Sequence, residues 1–391
     1  MKYLRKFDSV ADMNAAIANS TIGFLGLAYN NGNPVIGKTS GVDYTIPFYI
    51  EDVSGSANTV SIIKGTEEWP MEGAPTLTIE KSTDGTTWES MGTTSTTAIT
   101  ATIPANGKLY LRCSANTWCD TDNPYCNTIN MTGNCNVGGN IMSLLYGSNF
   151  TGNETTFPSG SIYTFHHLFM SNTHIINAAN LLLPATTLTS HCYDGMFDGC
   201  TSLTTTPELP ATTLADSCYY CMFQTCTSLT TAPELPATTV TYNCYTRMFS
   251  RCTALTTAPT TLPATTLATH CYEMMFIMCT SLTTAPALPA TTLDCDCYSM
   301  MFQYCTALTT APELPAATLV FNCYYGMFSG CSNLNYIKCL ATDIPASEGT
   351  DDWVSEVAST GTFVKHPNAS GWIPGDVDGI PSGWTVQEAT A

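Results

Sequence analysis

Charged residues are scarce in this chain, and long apolar runs are absent. Lys and Arg number 12 against 31 Asp and Glu in 391 residues, which gives a formal net charge of −19. Binding nucleic acid through its phosphates needs a clustered basic surface, so this balance argues against a nucleic-acid partner. No apolar run approaches the roughly 20 residues of a membrane-spanning helix, so we expect no membrane insertion.

Sequence motifs for catalysis and metal binding are also missing. None of the six histidines stands in an HExxH or triad-like setting. Residues 376–379 resemble the start of a calcium loop, but its twelfth position holds Gln387 where a glutamate is needed. The sequence therefore predicts a protein that is not an enzyme, with no catalytic residue, no metal site and no cofactor.

The N-terminus has no clear secretion signal. Lys2, Arg5 and Lys6 could open one, but Asp8 and Asp12 interrupt the residues that follow, and there is no apolar core. We therefore expect that the chain does not leave a cell by the general secretory route.

One motif, Leu-Pro-Ala-Thr-Thr-Leu, returns at intervals of 26 or 27 residues. Its prolines are Pro184, Pro210, Pro236, Pro263, Pro289 and Pro315. A degenerate copy begins at Pro158, which makes seven units over 158–340. A unit of this length cannot bury its own apolar face, so the period predicts a solenoid of stacked units.

Each unit has the same order of residue types. A Cys-Tyr pair comes first, followed by Met-Phe, a second Cys, a Leu, and a Thr-rich run with Pro. The apolar spacing of Cys-Tyr-x-x-Met-Phe predicts a short helix. The run Leu-Thr-Thr-Ala-Pro predicts a short strand, because Thr favours strands and Pro limits their length. We expect Met, Phe and Leu to form internal ladders.

Nineteen cysteines are an odd number, so at least one thiol is unpaired. In the degenerate unit, Asn172 stands where the second cysteine is expected, and Asn can replace Cys where the side chain faces inward and bonds to backbone. The sequence therefore favours buried, reduced thiols, with disulfides or metal ligands as alternatives. Cys221, Cys295 and Cys339 fall outside the repeat pattern, and we expect them to be exposed.

The remaining regions divide into four segments. Residues 41–112 alternate Val, Ile and Tyr with Thr and Ser between turn residues, which predicts a small antiparallel β-sandwich. Residues 113–157 form a junction and an N-terminal cap. Zinc binding or capping both remain open for the junction cysteines, whose spacings differ from those of zinc ribbons: Cys113, Cys119, Cys126 and Cys135. We assign 1–40 to an N-terminal docking segment and 341–391 to a C-terminal cap.

The repeat closely resembles the BspA-like leucine-rich repeats of gut-associated bacteria and their phages. The motifs that carry the resemblance are Cys-Tyr-x-x-Met-Phe-x-x-Cys-Thr-x-Leu-Thr-Thr-x-Pro and Leu-Pro-Ala-Thr-Thr-Leu, and it covers 126–391. It implies an α+β fold, a right-handed leucine-rich-repeat (BspA-like) solenoid, here preceded by the small all-β sandwich. It also implies adhesion or recognition without enzymatic activity.

The opening residues are similar to those of virion structural proteins from phages of gut bacteria. This similarity implies a phage head or tail fibre or decoration protein, assembled in the host cytoplasm and displayed on the virion surface. Residues 1–40 would bind other virion structural proteins, and we expect a symmetric homo-oligomer. The alternative is a BspA-like adhesin on a bacterial cell surface.

Some positions vary between units on the fixed scaffold, and helical geometry would place them on the solvent side. Several hold Tyr, Arg, Met or Phe, which are enriched in binding patches. The candidate ligand-binding residues are Tyr220, Tyr242, Arg247, Arg251, Met274, Tyr304 and Phe321. The expected ligand is a host-surface protein or glycan, and the alternative is that these positions vary without a function.

Overall fold

The computed structural model describes residues 27–30, 33–36, 42–65, 73–119, 125–342 and 349–390. The chain divides into two compact units, Met1–Ile46 and Pro47–Ala391. In the first unit, β1 (Leu27–Asn30) pairs antiparallel with β2 (Asn33–Ile36). The rest of the predicted docking segment, 1–40, lies outside the described residues.

The second unit begins with strands whose apolar residues alternate with polar ones. These are β3 (Tyr49–Asp52), β4 (Asn58–Lys64), β5 (Thr78–Ser82), β6 (Glu89–Thr93), β7 (Ile99–Ile103), β8 (Lys108–Cys113), β9 (Asn127–Met131) and β10 (Cys135–Asn140). In β4, Val60 and Ile62 are fully buried, and in β8 Leu109 and Leu111 are buried between partly exposed neighbours. These side chains belong to one hydrophobic cluster, because period-2 alternation places them on the same side of their sheets.

The strands form two sheets, and one of them continues into the repeats. The order β7-β4-β9 makes an antiparallel sheet of three strands, and β11-β10-β3-β8-β5-β6 makes a sheet of six. In the larger sheet β11 (Ile175–Leu182) pairs in parallel with β10, and the other pairs are antiparallel. Between β10 and β11 lie the helix α1 (Ser143–Tyr146) and a 3-10 turn (Gly147–Asn149).

The predicted fold class is wrong. An α+β leucine-rich-repeat solenoid would have a helix in every unit, whereas the four-residue α1 is the only α-helix among the described residues, and most elements are strands in sheets. The described part of the chain also has no helix with the length and apolar character of a membrane span. Runs of turns replace the expected helices. We name these runs the turn strip: 162–172, 190–200, 216–226, 242–252, 269–279, 295–305 and 321–331.

Left-handed residues explain why the turn strip is not helical. The angle φ is positive at every fourth residue, as at His191 (53°), Gly195 (55°) and Gly199 (73°). An α-helix needs negative φ throughout. The backbone amides alternate instead: Met196 N–H donates to Tyr193 O in its own unit (3.3 Å), and Phe197 N–H donates to Met222 O in the next unit (2.9 Å). Alternate N–H groups therefore bind the neighbouring unit, as in a sheet.

The predicted strands of the Thr-rich runs are reduced to single bridges. Thr257 forms parallel bridges with Thr231 in the preceding unit and Thr284 in the following unit. Every residue between β11 and β12 (Tyr336–Cys339) is described, and none belongs to a longer strand. Pro259 follows two residues after Thr257 and has no N–H to extend the pairing.

The predicted internal ladders are confirmed. Neighbouring ring centroids lie 5.6–6.2 Å apart along the ladder from Tyr193 to Tyr324. Along the ladder from Phe197 to Phe328 they lie 5.6–5.8 Å apart. Met and Leu of each unit are also fully buried. Trp353 ends both ladders, with its ring 6.1 Å from the rings of Tyr324 and Phe328.

The C-terminal strands continue beyond the ladders as a small parallel sheet. Its order is β12-β13-β14, with β13 at Thr362–Lys365 and β14 at Thr385–Glu388. Trp353 also stacks on Trp372, at 5.3 Å between centroids. Large indole rings therefore cover the end of the aromatic ladders.

The cysteines of the two ladder positions are buried free thiols. The second cysteine of each unit donates its S–H to a phenylalanine backbone carbonyl in the preceding unit, at 3.0–3.2 Å. At the equivalent position of the first unit, Asn172 Nδ2 donates a hydrogen bond to Ile129 O at 3.3 Å. The prediction of an inward side chain that bonds to backbone is confirmed.

Other cysteines differ from expectation. Cys221 and Cys339 are buried, and only Cys295 of the three predicted exposed thiols is partly exposed. Cys119 and Cys126 form a disulfide in the junction, which the sequence did not predict.

Candidate functional site

The outer positions of the turn strip vary on a constant backbone. In every unit from 190 onward, Cys, Tyr, Met, Phe and the second Cys are buried. The positions between them hold the side chains that reach the surface, although some of those are also covered. The strip therefore presents different residues from unit to unit without a change in its hydrogen-bonding pattern.

All seven predicted ligand-binding residues lie on the turn strip. Tyr242 is 48% exposed, Tyr304 is 40% exposed and Phe321 is 49% exposed. Arg251 is also exposed, whereas the remaining three are partly buried: Tyr220, Arg247 and Met274. Tyr242 and Phe321 occupy the same position three units apart, which is a distance of about 15 Å at the strand spacing of a sheet.

The structure brings three of the predicted residues together. Arg247 Nε lies 3.2 Å from the sulfur of Met274 in the next unit. Burial raises the pKa of Tyr220, Cys221 adds to the effect, and the Arg247 charge opposes it. Tyr220, Arg247 and Met274 therefore form one partly covered patch.

Aromatic and charged groups flank this patch. Tyr242 meets the His270 ring edge to face at 5.7 Å, and His270 Nδ1 lies 2.8 Å from Glu273 Oε2. Tyr304 lies farther along the strip, over Gly330, where any Cβ would collide with the tyrosine ring. Tyr304 therefore belongs to the unit that follows Met274, and its ring covers the unit after that.

A second cluster, which sequence reasoning missed, lies at the N-terminal end of the strip. His166 and His167 stand in the first unit, and Asp194 stands in the second. His166 Nδ1 is 3.3 Å from Asp194 Oδ2, and His191 Nδ1 is 2.8 Å from the same oxygen. The sequence did hold a signal for this cluster. When Phe169 of the degenerate unit is aligned with Phe197 of the next unit, His166 falls at the position of Asp194.

Burial and neighbouring groups together set the electrostatics of this cluster. Burial and the neighbouring His166 lower the pKa of His167 to about 4, although Asp194 acts in the opposite direction. For Asp194, burial acts to raise the pKa, but the two neighbouring imidazoles of His166 and His191 lower it more, and the net shift is downward. The cluster therefore combines a neutral His167 imidazole with an ionised carboxylate at neutral pH.

The cysteines outside the ladders offer little reactivity. Burial raises the pKa of Cys113, Cys135 and Cys221 to about 12. The thiolate is the nucleophile and the metal ligand, so these groups are unreactive near neutral pH. The disulfide takes up Cys119 and Cys126. The four junction cysteines therefore do not form the zinc site that their number left open.

The sequence matches no family model, and comparisons with curated proteins and with solved structures find no match. The resemblance to BspA-like repeats therefore stays a prediction from the repeat motif.

Proposed function

We propose that the chain is a non-enzymatic recognition protein that binds a host-surface glycan or protein through the outer positions of the turn strip. One observation carries the proposal. In 158–340, four large hydrophobic side chains are exposed, and all four lie on the turn strip: Met170, Tyr242, Tyr304 and Phe321.

The types of these residues suit binding. Aromatic side chains supply large contact areas and stack on flat partners, which is why they dominate binding hot spots. Glu273 contacts His270 beside the Tyr242 ring, and Arg247 N–H donates to Glu273 O, so charged groups lie in the adjoining positions. The hydrogen-bonded backbone beneath them fixes the positions of their Cα atoms, so little backbone freedom is lost on binding.

The proposed location rests on the sequence of 1–40. We propose a phage virion component, a head or tail fibre or decoration protein, held by other virion structural proteins and present as a homo-oligomer. A bacterial cell-surface adhesin is the second candidate. Peptide mass spectrometry of density-purified phage particles beside host envelope fractions separates them, since a virion component is enriched in the particles and an adhesin in the envelope.

The binding proposal is tested with a triple variant of the full chain. Tyr242→Ser, Tyr304→Ser and Phe321→Ser remove the exposed rings of three units. Hot-spot truncations cost about 2 kcal/mol or more each, so we expect binding to gut bacterial cells and to a glycan microarray to weaken more than roughly tenfold.

A matched control changes three exposed threonines outside the strip: Thr230→Ala, Thr283→Ala and Thr309→Ala. We expect the control to bind as the wild type does and both triple variants to keep the wild-type unfolding midpoint. Equal binding by the two triple variants would contradict a role for the strip.

A further inference from the structure

We propose that His166, His167 and Asp194 form a binding site for a divalent transition-metal ion of the Zn²⁺ class. The site goes beyond the proposed recognition function and does not depend on it. It lies at the N-terminal end of the turn strip and adjoins the Tyr220–Met274 patch, since Gly195 N–H donates to Tyr220 O in the next unit at 2.8 Å. His191 completes its surroundings as a group that orients the carboxylate.

The potential ligand atoms already lie close together. One atom from each of His166, His167 and Asp194 lies within 4.8 Å of the other two, and the two imidazole centroids are 3.6 Å apart. Zn²⁺ binds imidazole nitrogen at about 2.0–2.1 Å, so tetrahedral ligands stand about 3.3 Å apart. Small side-chain rotations would therefore bring the three groups into a coordination shell.

The strongest sign of a ligand is the state of His166. The residue is 5% exposed, and neither ring nitrogen has a hydrogen-bond partner. Nδ1 lies 3.3 Å from Asp194 Oδ2 as an ion-pair contact that does not meet hydrogen-bond geometry. Buried polar groups without partners are rare and costly. A bound metal ion would satisfy one of these nitrogens.

The backbone of the turn strip places the second histidine. His167 has a φ of 54°, and its N–H donates to Asp194 O at 2.9 Å. Gly195, the residue after Asp194, has no Cβ. A Cβ at this position would collide with the His167 ring. The glycine therefore makes room for the imidazole beside the carboxylate.

The carboxylate is suited to a cation and is already oriented. The Asp194 side chain is 8% exposed, and water does not solvate it freely. Burying such a charge is expensive without a partner. His191 contacts Asp194 at 2.8 Å and stacks on Tyr163 at 4.4 Å between centroids. Such outer contacts fix the direction of metal-binding side chains.

A repeat of part of this arrangement provides an internal control. His270 and Glu273 copy the His191–Asp194 pair, with the same 2.8 Å contact and the same spacing of three residues. The positions that correspond to His166 and His167 hold Thr246 and Arg247 there. The His–carboxylate pair is therefore a recurring feature of the strip, and the two additional imidazoles distinguish the first unit.

The test titrates Zn²⁺ into the full chain by calorimetry, with Co²⁺ as a spectroscopic probe of coordination. We expect one saturable site per wild-type chain. His167→Asn and Asp194→Asn should each weaken Zn²⁺ binding at least tenfold and remove the visible Co²⁺ absorption of a tetrahedral site. His270→Asn should bind Zn²⁺ within twofold of the wild type.

Asn tolerates the positive φ at position 167, so His167→Asn should fold even if a change at the buried Asp194 does not. Its unfolding midpoint without metal is measured first, to show that the fold is retained. The proposal is overturned if the wild type has no saturable Zn²⁺ site, or if folded His167→Asn binds Zn²⁺ as tightly as the wild type.

Discussion

The inner and outer positions of the turn strip share the same 11-residue runs but follow different rules. Inner positions repeat the same residue in unit after unit, because each ring stacks on an identical ring 5.6–6.2 Å away. Outer positions range from Gly to Tyr with no change in the backbone bonds. We therefore expect stability to depend on the inner side chains and the outer side chains to be free to vary.

Removing an inner ring should have the largest effect. Phe276 stacks between Phe249 and Phe302, at 5.6 and 5.7 Å, and is fully buried. Phe276→Ala leaves a cavity in the middle of the ladder, and we expect it to lower the free energy of unfolding by about 3–5 kcal/mol. Urea denaturation measures the change.

The matched outer change is Arg251→Ala, on an exposed side chain of the adjoining unit. Surface substitutions usually stay within about 0.5 kcal/mol. Comparable losses for Phe276→Ala and Arg251→Ala would remove the distinction between inner and outer positions.

An intermediate effect is expected where an outer side chain covers a glycine. Gly330 has a φ of 75°, and a Cβ there would collide with the Tyr304 ring. Gly330→Ala should lose about 1–2 kcal/mol from the left-handed conformation alone, and more from displacement of the ring.

Tyr304→Ala, introduced together with Gly330→Ala, separates the two causes. Because it removes the collision, the double variant should lose less stability than the sum of the single variants. Strict additivity in thermal unfolding would show that the ring and the glycine do not interact.

The smallest effect apart from the Arg251→Ala control should be a gain in stability. Thr225 is β-branched and has a φ of 59°, a conformation that costs about 1–2 kcal/mol for a residue with a Cβ. Glycine costs about 0.5–1 kcal/mol in chain entropy. Thr225→Gly should therefore raise stability by up to about 1.5 kcal/mol, seen as a higher unfolding temperature. A lower temperature would show that the left-handed turns are not strained.

The period of the repeat predicted the ladders, because identical residues at equal intervals must stack when the units do. The helix was a wrong prediction, since the spacing of Cys-Tyr-x-x-Met-Phe suits both a helix and turns that repeat every four residues. A signal against the helix was present at four glycines in two equivalent positions: Gly195, Gly199, Gly326 and Gly330. The residue directly before the first cysteine of each unit from 190 onward also has a positive φ. It is always His, Ser, Asn or Asp, and several of these residue types tolerate positive φ.

The candidate sites were predictable to different degrees. Tyr242, Tyr304 and Phe321 stood out because large rings are unexpected at variable outer positions. The His166–Asp194 cluster did not, because its members are 28 residues apart and lie in a degenerate unit and its neighbour. Only the register between those two units, set by the His167 N–H to Asp194 O bond, brings them together.

Site-specific photo-crosslinking tests the central claim most directly. A benzophenone amino acid replaces Tyr242 on the turn strip in one full-length protein and the exposed Thr230 outside it in another. Both proteins are irradiated on host cells. We predict covalent adducts with cell-surface material from position 242 and none from position 230. Equal adducts from both positions, or adducts from position 230 alone, would contradict recognition by the turn strip.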